Sequence, residues 1–374
     1  SMEALHSASP GRARLQQLDH HVRGVGCANA PPPLLSSEEE LLEQMTAPTA
    51  AASAVAHSCG DSPILLLGVS GKMGPSLAVL LQRAGAKRVI GVARFSDSAQ
   101  RDFLEKHGVE TMAVDLLADG ALDTLPDSRH VFMLAGFKFG ASSEANAGLT
   151  WAMNTLLPAD VVRRFPAARI VYVSSGNVYP FTDVAAGGSA ETGPTGPVGE
   201  YAQSRLGGER LAIHVATQQH TPLCVVRLFY ATECRYGIVH DLAQKVLGGE
   251  PIPLAMGHVN QIWQGDANEM IVRCLPLCET EDGKPRVLNL TGTHVLSVRT
   301  LALELGKALG GQAPVFEGTE ASTALLGDTT AMVRALGAPA TPIPQFVAWV
   351  AAWVKTGGRS LNKPTKFESR DGNF

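Results

Sequence analysis

The stretch Ile64-Leu65-Leu66-Leu67-Gly68-Val69-Ser70-Gly71-Lys72-Met73-Gly74 decides the fold. Four consecutive apolar residues closed by a glycine read as a short strand buried on both faces. Residues 77–83 then read as a helix. A Gly-x-x-Gly-x-x-Gly turn in strand–turn–helix context has a physical purpose. Glycines let the backbone approach a pyrophosphate, and the helix start offers free N–H groups and a positive dipole end. Gly68, Ser70, Gly71, Lys72, Met73 and Gly74 are therefore candidate dinucleotide-binding residues.

Outward from this turn the chain alternates. Residues 88–92, 111–114, 131–135, 169–173 and 223–228 read as further strands. Residues 98–106, 154–165 and 201–216 read as helices between them. This alternation predicts an α/β fold, a Rossmann-type doubly wound parallel sheet. Beyond residue 228 the pattern loosens. Helical stretches at 241–247, 266–274, 298–309 and 344–355 and a strand at 287–290 predict a smaller C-terminal substrate lobe. The expected division is a disordered tail over 1–35, a short helix and linker over 36–62, and the dinucleotide-binding domain over 63–230. The mostly substrate-binding lobe follows over 231–356, then a polar tail over 357–374 that either drapes over the body or is disordered. In the second segment Ser36-Ser37-Glu38-Glu39-Glu40 is a helix start, and the Ala/Thr/Ser-rich 46–58 reads as linker.

Composition narrows the function classes. The chain has 374 residues, 45% hydrophobic and 18% charged, with a formal net charge of -4. That charge is too small and of the wrong sign for a nucleic-acid binder. No stretch approaches the ~20 apolar residues that span a bilayer, so no membrane partner is expected. The first 30 residues lack a continuous apolar region of the secretory type. Six cysteines form no Cys-x-x-Cys pair and no Cys/His ligand set. Reduced thiols, a cytoplasmic location and no metal are expected.

The second strand bears on the choice of dinucleotide. An acid at its end would hold the adenosine ribose. Here Val92 runs into Ala93-Arg94-Phe95-Ser96, and Asp97 comes too late. Arg94 and Ser96 suit a 2′-phosphate, since the guanidinium fork matches phosphate oxygens. NADP is favoured over NAD on this ground. Asp115, with Leu116, ends the third strand where a carboxylate would accept from the adenine amino group. Leu134, Ala135 and Gly136 end the fourth, near the cofactor's path.

The fifth strand ends in Ser174-Ser175-Gly176-Asn177-Val178-Tyr179, and the following helix opens with Tyr201-Ala202-Gln203-Ser204-Arg205, with Glu209 behind it. Together with the glycine turn, these motifs resemble the extended short-chain dehydrogenases/reductases, and within them the NAD-dependent epimerase/dehydratase family. The resemblance covers roughly residues 63–274. It implies that Tyr201 is the general acid/base while hydride moves to or from the nicotinamide. A free phenol titrates near ~10, so this role calls for a nearby cation. Ser175 would hold the reacting oxygen. The family's cation is a Lys four residues after the Tyr; this chain has Arg205, which keeps the charge but not the ammonium geometry. Tyr201 and Arg205 would also contact the cofactor. Family members are often dimers through the helices beginning near Asn154 and Tyr201, so a homodimer is a candidate state.

Departures from the family pattern narrow the chemistry. Family dehydratases carry Asp-Glu after the hydroxyl residue; here Gly176-Asn177 stands there, which argues against elimination of water. Tyr230 replaces the substrate-contacting Asn, and the stretch from Gly257 to Asp266 lacks the Arg that holds a nucleotide diphosphate. These features favour a sugar-like substrate without a nucleotide, although Arg235 is a possible substitute cation. Lys138, Asn177, Tyr230, Arg235 and Trp263 are the candidate substrate contacts, and Tyr236, His240 and Gln264 further lining residues. The expected activity is an NADP- or NAD-dependent oxidoreductase or epimerase acting on a secondary alcohol or ketone. The other reading, kept open by Arg205, is a dinucleotide-binding sensor or scaffold without catalysis.

Overall fold

The computed structural model describes residues 34–138 and 143–373. Most of the N-terminal segment expected to be disordered lies outside the described residues. At its end, Leu35 is buried in an apolar core.

Seven parallel strands form the central sheet: β1 (Ile64–Leu67), β2 (Val89–Ala93), β3 (Glu110–Ala113), β4 (His130–Met133), β5 (Arg169–Ser175), β6 (Leu223–Leu228) and β9 (Arg286–Leu290). Their spatial order is β9-β6-β5-β4-β1-β2-β3. Strands β1, β2 and β4 are buried throughout, as the apolar runs of β1 and β2 and of β4 after His130 require. The order reverses between β1 and β4, which stand side by side with Leu67 opposite Met133. A doubly wound sheet opens its ligand crevice at the carboxyl ends of such a pair.

Helices cover both faces: α3 (Gly74–Arg83) and α4 (Ser98–Lys106), then α5 (Ala147–Trp151) and α6 (Leu157–Arg164), with the long α7 (Gly199–Gln219) beside α6. A π-helical segment, Ala152–Leu156, joins α5 to α6. The lobe beyond β6 holds β7 (Tyr230–Thr232), α8 (Ile238–Gly248), β8 (His258–Trp263), α9 (Gln264–Arg273), β10 (Val295–Ser297), α10 (Val298–Ala308) and α11 (Ile343–Lys355). Strands β7, β8 and β10 form a small separate sheet.

Three features differ from the reading of the sequence or settle what it left open. Residues Ala50–Ser58 form α2, not a linker: alanine is the best helix former and the Thr49 side chain caps the Ala52 N–H. It follows α1 (Glu38–Thr46), capped by Ser37 as expected. Strand β9 lies in the stretch expected to be lobe, yet it pairs with β6 and extends the main sheet. The C-terminal tail drapes over the body. Asp241 accepts from both the N–H (2.8 Å) and the hydroxyl (2.6 Å) of Thr365, Phe367 is buried, and Gly372 packs on Gly199 at the start of α7.

Candidate active site

The glycine turn is built by close contact. Gly68 has φ +85°, and a β-carbon there would lie 2.6 Å from the Ala135 Cα; one at Gly74 would lie 2.1 Å from the Val69 carbonyl. Any larger residue would push β1 from β4 or α3 from its strand. The turn thus brings the α3 N-terminus against the sheet at the switch point, a cradle that fits a dinucleotide pyrophosphate. At the adenosine end, Arg94 and Ser96 are exposed, and Arg94 makes no hydrogen bond or ion pair among the described residues. The Asp115 carboxylate accepts from the Leu117 N–H at 3.1 Å and so caps its own turn. Leu116 is buried beside it, and Leu134 is half-buried at the end of β4.

A cavity of about 150 Å³ opens where the turn, β5, α7 and the lobe meet. Tyr201, Ser175, Asn177, Tyr230, Tyr236, Lys72 and Lys138 all line it, and Thr365 closes it from the tail. Tyr201 is half-buried in the first turn of α7. The Ser175 hydroxyl donates to the Asn177 side-chain oxygen at 3.0 Å and accepts from the Asn177 N–H at 3.2 Å, which fixes it on the cavity wall.

Arg205 sits deeper than one helical turn from Tyr201 suggests. Its guanidinium donates to the Ala135 carbonyl (3.3 Å) and to the Val173 carbonyl, clamping the ends of β4 and β5. A β-carbon on Gly136 would collide with it at 2.6 Å. Those two donors are therefore committed to the protein and not offered to a ribose, although the charge interacts with Tyr201.

Asn154 explains how Lys138 reaches the cavity. Its side chain accepts from the Phe137 N–H (2.8 Å) and donates to the Phe137 carbonyl (2.8 Å) and to the Ser204 hydroxyl (3.0 Å). Both backbone groups preceding Lys138 are thus held, and the Lys138 ammonium lies 5.9 Å from the Tyr201 ring centre. Asn154 belongs to the π-helical segment, and α7 can pass it closely only because residue 208 is glycine. A β-carbon there would lie 2.0 Å from the Asn154 carbonyl. Local π geometry often marks such functional placements.

Behind the cavity runs a buried polar chain. Ser174 donates to Glu209 (2.6 Å), Arg227 donates to Glu209 (2.7 Å) and to the Tyr179 hydroxyl (2.7 Å), and Tyr179 donates to Asn289 (2.8 Å). It links β5, α7, β6 and β9 and fixes the helix that carries Tyr201.

Two expected substrate contacts lie elsewhere. Trp263 is fully buried between Phe346 and Trp349, and its indole N–H donates to Gln44 at 2.5 Å. Arg235 is paired with Glu233 and Glu38. Two walls were missed. Thr365 comes from a tail whose composition carries no signal. The Lys72 side chain turns to the Ala231 carbonyl (2.5 Å) and over the Tyr236 ring (3.8 Å), whereas the glycine motif speaks only of its backbone.

Residues 64–241 match the NAD dependent epimerase/dehydratase family. No curated protein is significantly similar in sequence. Among solved structures, the UDP-glucuronic acid 4-epimerase from Bacillus cereus in complex with NAD aligns with a TM-score of 0.67 at 16% identity, covering 79% of this chain and 99% of that one. WbmF from Bordetella bronchiseptica, in complex with NAD+ and UDP, aligns at 0.62 and 20% identity, covering 80% and 94%. Pal from Bacillus thuringiensis aligns at 0.65 and 17% identity, covering 79% and 99%. These likenesses establish the fold. Over residues 64–241 the chain matches the NAD dependent epimerase/dehydratase family, whose members are enzymes of the extended short-chain dehydrogenase/reductase type.

Proposed function

We propose that the protein is an NAD(P)-dependent oxidoreductase or epimerase acting on a secondary alcohol or ketone of a sugar-like substrate. The observation that carries this reading is the convergence of the glycine turn, Ser175 and Tyr201 on one cavity at the switch point. A bound nicotinamide dinucleotide supplies a hydride acceptor or donor. Ser175 holds the substrate oxygen by hydrogen bonding, and Tyr201 takes or returns its proton. Arg205 supplies permanent positive charge behind the phenol and holds the floor of the cofactor crevice. Gly176-Asn177 offers no acid for dehydration, and Asn177 instead orients Ser175.

Arg94, exposed and without a partner among the described residues, supports a 2′-phosphate and hence NADP. A homodimer through the helices beginning near Asn154 and Tyr201 is supported by the exposed Leu156 immediately before α6 and the exposed Leu211 on α7. The functional reading is tested by incubating the protein and oxidised dinucleotide with a panel of sugars deuterated at their secondary carbinol carbons. Deuterium appearing on the nicotinamide, or an epimer formed with the deuterium kept on the inverted carbon, supports it; neither outcome across the panel refutes it.

A further inference from the structure

The cavity is chemically lopsided. Lys72 enters from the glycine turn and Lys138 from the loop after β4, and both ammoniums reach its wall. No Asp or Glu lines it among the described residues. The nearby carboxylates lie outside that lining: Glu233 pairs with Arg235, and Asp241 accepts the two Thr365 bonds while attracting both lysines. The remaining walls are Tyr230, Tyr236, Phe229 and the Ser175–Asn177 pair, which suit the faces and hydroxyls of a sugar ring. Lys138 stands 5.9 Å from the Tyr201 ring, so a group beside it is within a few bonds of the reacting carbon.

We propose that Lys72 and Lys138 form an anion subsite, and that the substrate of the proposed reaction carries a carboxylate or phosphate close to its reacting hydroxyl. This rests on the cavity being the substrate site. Two half-buried ammoniums brought to one cavity repel each other and lose part of their hydration. An incoming anion relieves both costs and takes charge-assisted hydrogen bonds. The titration of the pair agrees with that geometry. Burial pulls Lys72 down to about 7, with Glu233 and Asp241 opposing and Lys138 and Arg235 adding to the shift. Burial likewise pulls Lys138 down to about 8, with Asp241 opposing and Lys366 adding. The inference gives Lys72 a task separate from that of its backbone, and gives the cavity a selection rule: acidic sugars over neutral ones.

The test is calorimetric titration of the dinucleotide-saturated protein with three probes: glucuronate, glucose phosphate and glucose. The readout is the ratio of anionic to neutral affinity, so a general weakening cancels. In the wild type at least one anionic probe should bind about tenfold or more tightly than glucose. Lys138→Met and Lys72→Met should each collapse that ratio, and Lys138→Arg should keep most of it. Whichever anionic probe wins identifies carboxylate or phosphate. The proposal is overturned if neither anionic probe beats glucose at millimolar concentrations. It is also overturned if the ratio survives the methionine substitutions, including the case where Lys72→Met weakens only dinucleotide binding and Lys72 thus serves the cofactor. Tyr201→Phe separates this claim from the mechanism. An intact ratio in a protein that transfers no hydride keeps the subsite and refutes the mechanism, whereas hydride transfer to neutral sugars alone does the reverse.

Discussion

Asn154→Ala probes how the fold sets up the site. The side chain is fully buried and makes three hydrogen bonds, at 2.8, 2.8 and 3.0 Å, that tie the loop before Lys138 to the helix carrying Tyr201. At roughly 1 kcal/mol net per bond, their loss should destabilise the protein by about 3 kcal/mol. The Phe137 backbone is only half-buried, so water can satisfy it once the loop loosens, and the larger penalty of orphaned groups does not apply. The glycine turn is untouched, so dinucleotide affinity should stay within about threefold of wild type. Turnover should fall by at least about tenfold, because Lys138 and the start of α7 are no longer held together. Urea unfolding followed by circular dichroism gives the first quantity, and dinucleotide titration and steady-state rates give the others. A stability loss under about 1 kcal/mol, or turnover equal to wild type, would refute the clamp.

Other consequences follow from individual residues. Arg94→Asp should reverse the preference between NADP and NAD, because it exchanges a phosphate donor for a ribose acceptor; unchanged NADP affinity removes Arg94 from the site. Arg227→Met strands the Glu209 carboxylate, which is 1% exposed, and should cost about 3–5 kcal/mol of unfolding free energy; a loss within 1 kcal/mol would show the buried chain to be dispensable. The Lys72 amine is held at about 7 in the fold chiefly by burial, below its ordinary 10.5. The unfolded chain therefore binds more protons between those values, and stability contributed by this group rises as pH climbs above 7. Lys72→Met should flatten that part of the stability–pH curve, and an unchanged slope would mean the amine is hydrated in the fold.

The parts of the fold legible in the sequence are those set by local pattern. Ile64–Leu67 is a continuous apolar run, Leu223–Leu228 is apolar apart from Arg227, and a buried parallel strand accommodates both. The glycine turn was equally legible, because contacts such as Gly74 on Val69 leave no room for another residue. What stayed hidden depends on long-range placement. Trp263 sits in a strand beside a predicted site, but its face points into the lobe core, and a one-residue change of register reverses such a face. Arg205 follows the family spacing on its helix, yet its reach is decided by Gly136 on another element. The side chain of Lys72 and the arrival of Thr365 depend on the lobe and the tail folding back over the sheet, which no spacing rule encodes.

The central claim is that Tyr201 moves the substrate proton, and Tyr201→Phe measures it most directly. The ring and its packing stay, and only the hydroxyl is lost. Deuteride transfer between labelled dinucleotide and a confirmed sugar substrate should slow by about 10²–10⁴-fold, with dinucleotide affinity and urea midpoint unchanged. A variant that transfers deuteride at the wild-type rate would contradict the account and leave a dinucleotide-binding fold without this chemistry.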